Sequence, residues 1–157
     1  MRLSKDIKKI LKPNDITKKL IMTLGNPFRS DDSIGIYIGN KIKSKNNYLV
    51  LNVYNVPENY IDEAISYRPN IFIIIDAANF NGKVGEIKIL DRNLIPETSL
   101  STHTISPKLI AEIIENETQC DTYFIGIQIC SIEYGNNINR EVIKNADLLV
   151  NYINKFL

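Results

Sequence analysis

An apolar run, Leu20-Ile21-Met22-Thr23-Leu24, opens directly into Gly25-Asn26-Pro27-Phe28-Arg29-Ser30-Asp31-Asp32-Ser33-Ile34-Gly35. Ile34, Ile38 and Ile42 then recur at helical spacing. A short buried strand, a glycine-bounded loop and a helix therefore follow one another without a break. This is the repeating unit of open α/β sheets, where ligands collect in the crevice beyond the carboxyl ends of the strands. Two adjacent carboxylates in such a loop repel each other unless a metal ion or a proton is shared between them. The stretch thus fixes both a fold type and the place where chemistry is expected.

The rest of the chain repeats the alternation. Strands are expected at Tyr48–Val53, Ile71–Asp76, Gly85–Leu90 and Thr122–Ile129, the third of these four lying at an edge. Ile71–Ile75 is apolar on both faces, as a central parallel strand is. Helices are expected at Tyr60–Tyr67, Pro107–Glu115 and Arg140–Phe156. Ser106 caps the second of these with Pro107 at its first position. The pattern predicts a three-layer α/β/α sandwich around a twisted, mostly parallel sheet. Leu3, Ile7, Ile10 and Leu11 add a short amphipathic helix within residues 1–19, an expected N-terminal extension to a single domain over 20–157.

With 157 residues, 44% of them hydrophobic, the chain can build one packed core. Its formal charge of +1 and scattered Lys and Arg argue against a nucleic-acid partner. No apolar run is long enough to span a bilayer. The lysine-rich N-terminus lacks the apolar region and cleavage site of a secretory signal, so a cytoplasmic protein is expected. Cys120 and Cys130 form neither a metal-ligand pair nor a disulfide framework and are expected to be reduced thiols.

Three further residues stand where ligands gather. Asp76 follows Ile71–Ile75 and meets the same sheet edge as Asp31 and Asp32. A turn-capping aspartate would also serve there, but the paired aspartates at that edge favour a functional one. His103, the single histidine, lies in a loop just before the Ser106 helix. Two carboxylates and an imidazole from three loops suit a divalent transition metal with positions left open. One of the adjacent aspartates is expected in the cleft, Asp32, while Asp31 turns away to accept backbone N–H bonds. Gly35 permits close approach of helix and sheet. Glu58 is read first as an acid at a helix start and second as a cleft residue.

At these positions the chain resembles the hydrogenase maturation endopeptidases. Their opening motif, Gly-Asn-x-x-x-x-Asp-(Asp/Glu)-x-x-Gly, is matched by Gly25 to Gly35, with Gly25, Asn26 and Asp31 supporting Asp32. Asp76-Ala77 and Thr102-His103 match the family's later acid and imidazole positions, and Val56-Pro57-Glu58-Asn59, Tyr67-Arg68-Pro69 and Gly126-Ile127-Gln128 add further likeness. The last features resemble the branch serving membrane-bound, hydrogen-evolving hydrogenases. The resemblance implies an aspartic-type endopeptidase that removes the C-terminal peptide of a nickel-iron hydrogenase large-subunit precursor. It further implies that Asp32, Asp76 and His103 meet nickel already held by that precursor, so that the metal comes with the substrate rather than resting on the enzyme. Cleavage would fall beyond a Cys-x-x-Cys-x-x-(His/Arg) motif in the client. Asp32 or Asp76 could activate water, or the metal could polarise the carbonyl.

Other readings compete. A non-proteolytic nickel chaperone or a small-molecule metallohydrolase could use the same ligands. A phospho-receiver domain shares the acidic pair after strand one and the Asp ending strand three. It requires a late lysine, where this chain has Gln128 and Cys130, and an acidic pair at the strand end, where this chain carries Asp31 and Asp32 deep in a long loop.

Overall fold

The computed structural model describes residues 2–13, 15–45, 47–95 and 105–155. Its elements are α1 (Lys5–Leu11), β1 (Lys19–Leu24), α2 (Ile34–Lys41), β2 (Tyr48–Tyr54), α3 (Ile61–Tyr67), β3 (Ile71–Ala78), β4 (Ile87–Leu90), α4 (Pro107–Thr118), β5 (Asp121–Gln128) and α5 (Arg140–Asn154). Short 3-10 turns at Ser30–Ser33, Pro57–Tyr60 and Arg92–Leu94 lead out of β1, β2 and β4.

The five strands lie in the order β2-β1-β3-β5-β4. The first four run parallel, and β4 is an antiparallel edge on β5. The mostly parallel sandwich expected from the alternation is the fold observed.

Alternate residues of each strand feed opposite layers, as the two-residue strand period requires. Ile21, Ile73, Ile75, Ile125 and Ile127 pack beneath α1, α2 and α5. Leu20, Met22, Leu24, Phe72, Ile74 and Phe124 pack against α3 and α4. Each fully buried Ile, Leu or Phe side chain contributes about 1.5–3 kcal/mol, so the two layers supply most of the driving force for folding.

The helix ends follow local chemistry. Ser4 Oγ accepts from Ile7 N at 3.2 Å, and Ser106 Oγ accepts from Leu109 N at 3.2 Å. Asn139 Oδ1 accepts from Glu141 N at 2.9 Å. Arg68 and Gln119 close α3 and α4 in the left-handed region, at φ of 51° and 59°.

Helix α1 is not loosely appended. Ile7, Ile10 and Leu11 sit in the same core as α2 and α5. The ammonium of the buried Lys19 donates to Ile10 O at 2.6 Å and Lys12 O at 2.5 Å. Tyr48 Oη donates to Leu11 O at 2.5 Å, and Tyr152 Oη to Lys8 O at 3.2 Å. A cation at the end of a helix is favoured by the helix dipole. Burial pushes the Lys19 ammonium pKa down and the Tyr48 phenol up to about 12.

Two boundaries differ from the pattern in ways that matter for the site. Asp76 does not end β3. The strand continues to Ala78 because β5 runs on beside it, pairing Ala77 with Ile127 and Ala78 with Gln128. The acidic pair is also not deep in an irregular loop: it sits on the 3-10 turn Ser30–Ser33, which runs straight into α2.

Candidate functional site

The first wall of the site is the turn after β1. The register of β1 shifts after Thr23, so Leu24 pairs with Tyr54 and the chain swings away from β3. Asn26 Oδ1 accepts from Phe28 N at 3.0 Å, an Asx turn, and Asn26 N donates to Asp32 O at 3.0 Å. The loop folds back on itself so tightly that a Cβ on Gly25 would lie 2.5 Å from Asp32 O. A Cβ on Gly35 would lie 1.7 Å from Leu24 O. Glycine at both ends of the motif is therefore required by backbone contact, and it is this contact that seats the acidic turn on the end of the sheet.

Asp31 and Asp32 are both 1% exposed. The Asp31 carboxylate accepts three backbone N–H bonds from the loop after β5: Cys130 N at 2.7 Å and Ser131 N at 3.1 Å on Oδ2, and Asn139 N at 2.6 Å on Oδ1. Its own N donates to Ser131 O at 3.2 Å. Such charge-assisted bonds are the stronger kind. Around them, Ser30 N donates to Gly135 O at 2.9 Å, Gly135 N to Phe28 O at 3.0 Å, and Ser30 Oγ to Glu133 O at 2.8 Å. The two loops are thereby stapled into one body, and Ser30 is held at a φ of 47°.

The second wall is β3. The last pair between β1 and β3 is Thr23 with Ile75, so Asp76 is the first residue of β3 beyond its neighbour. It meets the crevice opened by the departure of β1, and the Ser30–Ser33 turn packs against β3 there. Asp32 and Asp76 thus share the carboxyl edge of the sheet. Asp76 is half-buried, and its Oδ1 accepts from Ala77 N at 2.8 Å. It borders a cavity of about 60 Å³ lined also by Leu90, Ile95, Pro107, Phe124 and Gly126.

The third predicted residue, His103, lies outside the described residues, as do Ser101 and Thr102. Pro107, four residues after His103 in sequence, lines the same cavity as Asp76. The chain on the two sides of this segment is tied together, since Arg92 makes a bidentate pair with Glu115 of α4. Among the described residues, no three of His, Cys, Asp and Glu cluster as a metal site. Glu58 sits half-buried in the Pro57–Tyr60 turn after the edge strand β2. Cys120 is buried, Cys130 exposed, and both are free thiols.

One residue that spacing alone does not assign a role is Gln128. It is buried, and its Oε1 accepts from Phe80 N at 2.9 Å and Gly82 N at 3.0 Å. Its Nε2 donates to Asn79 Oδ1 at 3.1 Å and Ile129 O at 3.0 Å. It holds the turn that follows Asp76-Ala77-Ala78. The available signal was a polar side chain following the run Phe124-Ile125-Gly126-Ile127, which must find partners when buried.

Comparison with known proteins gives this geometry its context. A family model described as HycI, hydrogenase maturation protease, matches residues 33–155. That match takes in Asp76 and His103 and begins one residue after Asp32. A Methanocaldococcus jannaschii protein whose name places it with the hydrogenase maturation proteases is 33% identical over 145 residues, covering 85% of each chain. The hydrogenase 3 maturation protease of Escherichia coli is 28% identical over 112 residues, covering 69% of this chain and 71% of that one. The crystal structure of a NiFe hydrogenase maturation protease, HycI, from Thermococcus kodakarensis superposes with a TM-score of 0.79 at 23% identity, over 96% of this chain and 99% of that one. The stapled acidic turn and the aspartate beyond it are therefore built on a shared scaffold: this chain belongs to the hydrogenase maturation protease family.

Proposed function

We propose that this protein is an endopeptidase that removes the C-terminal peptide from the large-subunit precursor of a nickel-iron hydrogenase once nickel has been inserted. Asp32, Asp76 and His103 are the groups we assign to the nickel of the precursor, which arrives as part of the substrate. The observation that carries the reading is the meeting of Asp32 and Asp76 at one carboxyl edge, in a chain of this family. His103 is assigned with them on the sequence alone, since Thr102-His103 matches the family's imidazole position and lies within the residues that the family model matches.

The chemistry follows from the donor set. Carboxylate and imidazole suit a borderline divalent ion, and a three-ligand set leaves positions for ligands from the client. Before nickel insertion there is no metal to coordinate, so the precursor is held less tightly and escapes cleavage. After insertion, coordination fixes the extended C-terminal peptide beside the acidic edge. Hydrolysis then needs a water deprotonated by a carboxylate and a carbonyl made electrophilic. Asp76, half-buried at the rim of the cavity, is the base we favour. Asp32 is the carboxylate we favour as the more permanent nickel contact. No helix among the described residues is long and apolar enough to cross a membrane. The lysine-rich N-terminus without a secretory signal supports a cytoplasmic site for the reaction.

The test is processing of the nickel-loaded precursor by the wild type and by Asp32→Asn, Asp76→Asn and His103→Ala. Each variant is expected to keep the wild-type circular dichroism spectrum and to lose cleavage. A folded His103→Ala protein that cleaves normally would remove His103 from the ligand set. Binding of the precursor without cleavage by the wild type would favour a nickel chaperone. Stoichiometric zinc in protein purified without added metal would favour a metallohydrolase of small molecules.

A further inference from the structure

Phe28 and Tyr134 are 67% and 80% exposed, although large aromatic side chains are costly to leave in water. They come from the two loops that Asp31 staples together, and Gly135 N donates to Phe28 O at 3.0 Å to bring them side by side in the backbone. Arg29 follows Phe28 in the chain and packs on Tyr134. Its guanidinium carbon stands 4.6 Å from the centre of the Tyr134 ring, and its Nη2 donates to Tyr134 Oη at 3.2 Å. Among the described residues, no carboxylate forms an ion pair with Arg29. A guanidinium carries five donors and remains charged, so a carboxylate from outside is its natural complement.

The position of this ledge is as telling as its composition. Asp32 N donates to Arg29 O at 3.0 Å, so the cation and the candidate nickel-binding acid belong to one turn. The loops that carry it are rigidly cross-linked and do not need to be ordered on binding, which lowers the entropic cost of association. Aromatic and arginine side chains on a preformed surface are the residue types that dominate binding energy at protein interfaces.

We propose that Phe28, Arg29 and Tyr134 form the docking ledge for the hydrogenase precursor, taking an apolar side chain against the two rings and an acidic side chain on Arg29. The proposal rests on the function proposed above and names a surface of the client contact that lies outside the metal ligands. The surface selects the client, while Asp32, Asp76 and His103 report whether the client holds nickel.

The test measures both binding and cleavage of the nickel-loaded large-subunit precursor from the same organism, with the full-length protein. Phe28→Ala/Tyr134→Ala and Arg29→Glu are expected to raise Kd and KM by about tenfold while kcat and Tm stay at the wild-type value. Ile16→Ala, which trims an 85%-exposed side chain before β1 at the opposite edge of the sheet, should change neither constant. Unchanged Kd and KM in the ledge variants, beside a wild type that binds and cleaves, would overturn the ledge and leave the proposed function standing. A wild type that neither binds nor cleaves the precursor would overturn the proposed function, and the assigned partner of the ledge with it.

Discussion

The two ends of the sheet use the same device with opposite charge. At the carboxyl edge the buried Asp31 carboxylate accepts three backbone N–H bonds and locks two loops. At the amino edge the buried Lys19 ammonium donates to two backbone carbonyls and locks the end of α1. In each case one buried charge satisfies main-chain groups that no regular element pairs, as buried polar groups require. The difference lies in what surrounds them. Around Lys19 are the Tyr48 ring and the end of α1, beside an open hollow lined by Lys9, Lys12, Asp15 and Thr17, with no acidic pair beside it among the described residues. Around Asp31 are Asp32, the exposed rings of Phe28 and Tyr134, and the crevice with Asp76. One staple serves only stability, while the other holds a surface in readiness.

That contrast can be broken most severely at Gly35. Gly35→Ala places a methyl group 1.7 Å from Leu24 O and should cost more than about 4 kcal/mol, read as loss of a cooperative urea transition. Asp31→Ala comes next. Leaving three amides without their acceptor should destabilise the protein by about 3 kcal/mol, and it should also abolish precursor cleavage because the Asp32 turn loses its anchor. Lys19→Met strips the donor from two carbonyls at nearly constant side-chain volume. A loss of about 2 kcal/mol with cleavage retained is expected, and loss of cleavage at equal stability would erase the distinction between the two edges.

The smallest effect is set by pH. Tyr48 has a folded-state pKa of about 12 because burial disfavours the phenolate, against about 10 in the unfolded chain. The neutral phenol therefore contributes its full stability below pH 10 and loses it as pH rises toward 12. Between pH 10 and 11 the expected fall is about 1 kcal/mol, measured by urea denaturation. Tyr48→Phe should lack that component of the decline.

Much of this design could be read from residue types alone. The apolar runs Leu20–Leu24 and Ile71–Ile75 announce buried strands, and Ser106-Pro107 announces a helix start, because each depends on neighbours close in sequence. The pairing of Asp31 with Cys130, Ser131 and Asn139 could not be read, since its partners are backbone groups about a hundred residues away. Backbone amides leave no mark in a sequence. The continuation of β3 past Asp76 escaped for a related reason: Ala77 and Ala78 have little strand preference, and β5 alone keeps them extended. Gln128 had a signal but no destination until the Asn79–Gly82 turn was seen to close around it.

The most direct test of the account is mass spectrometry of the nickel-loaded and nickel-free large-subunit precursors after incubation with this protein. Loss of a C-terminal peptide from the nickel-loaded form alone is expected. Equal cleavage of both forms, or cleavage of neither, would contradict it.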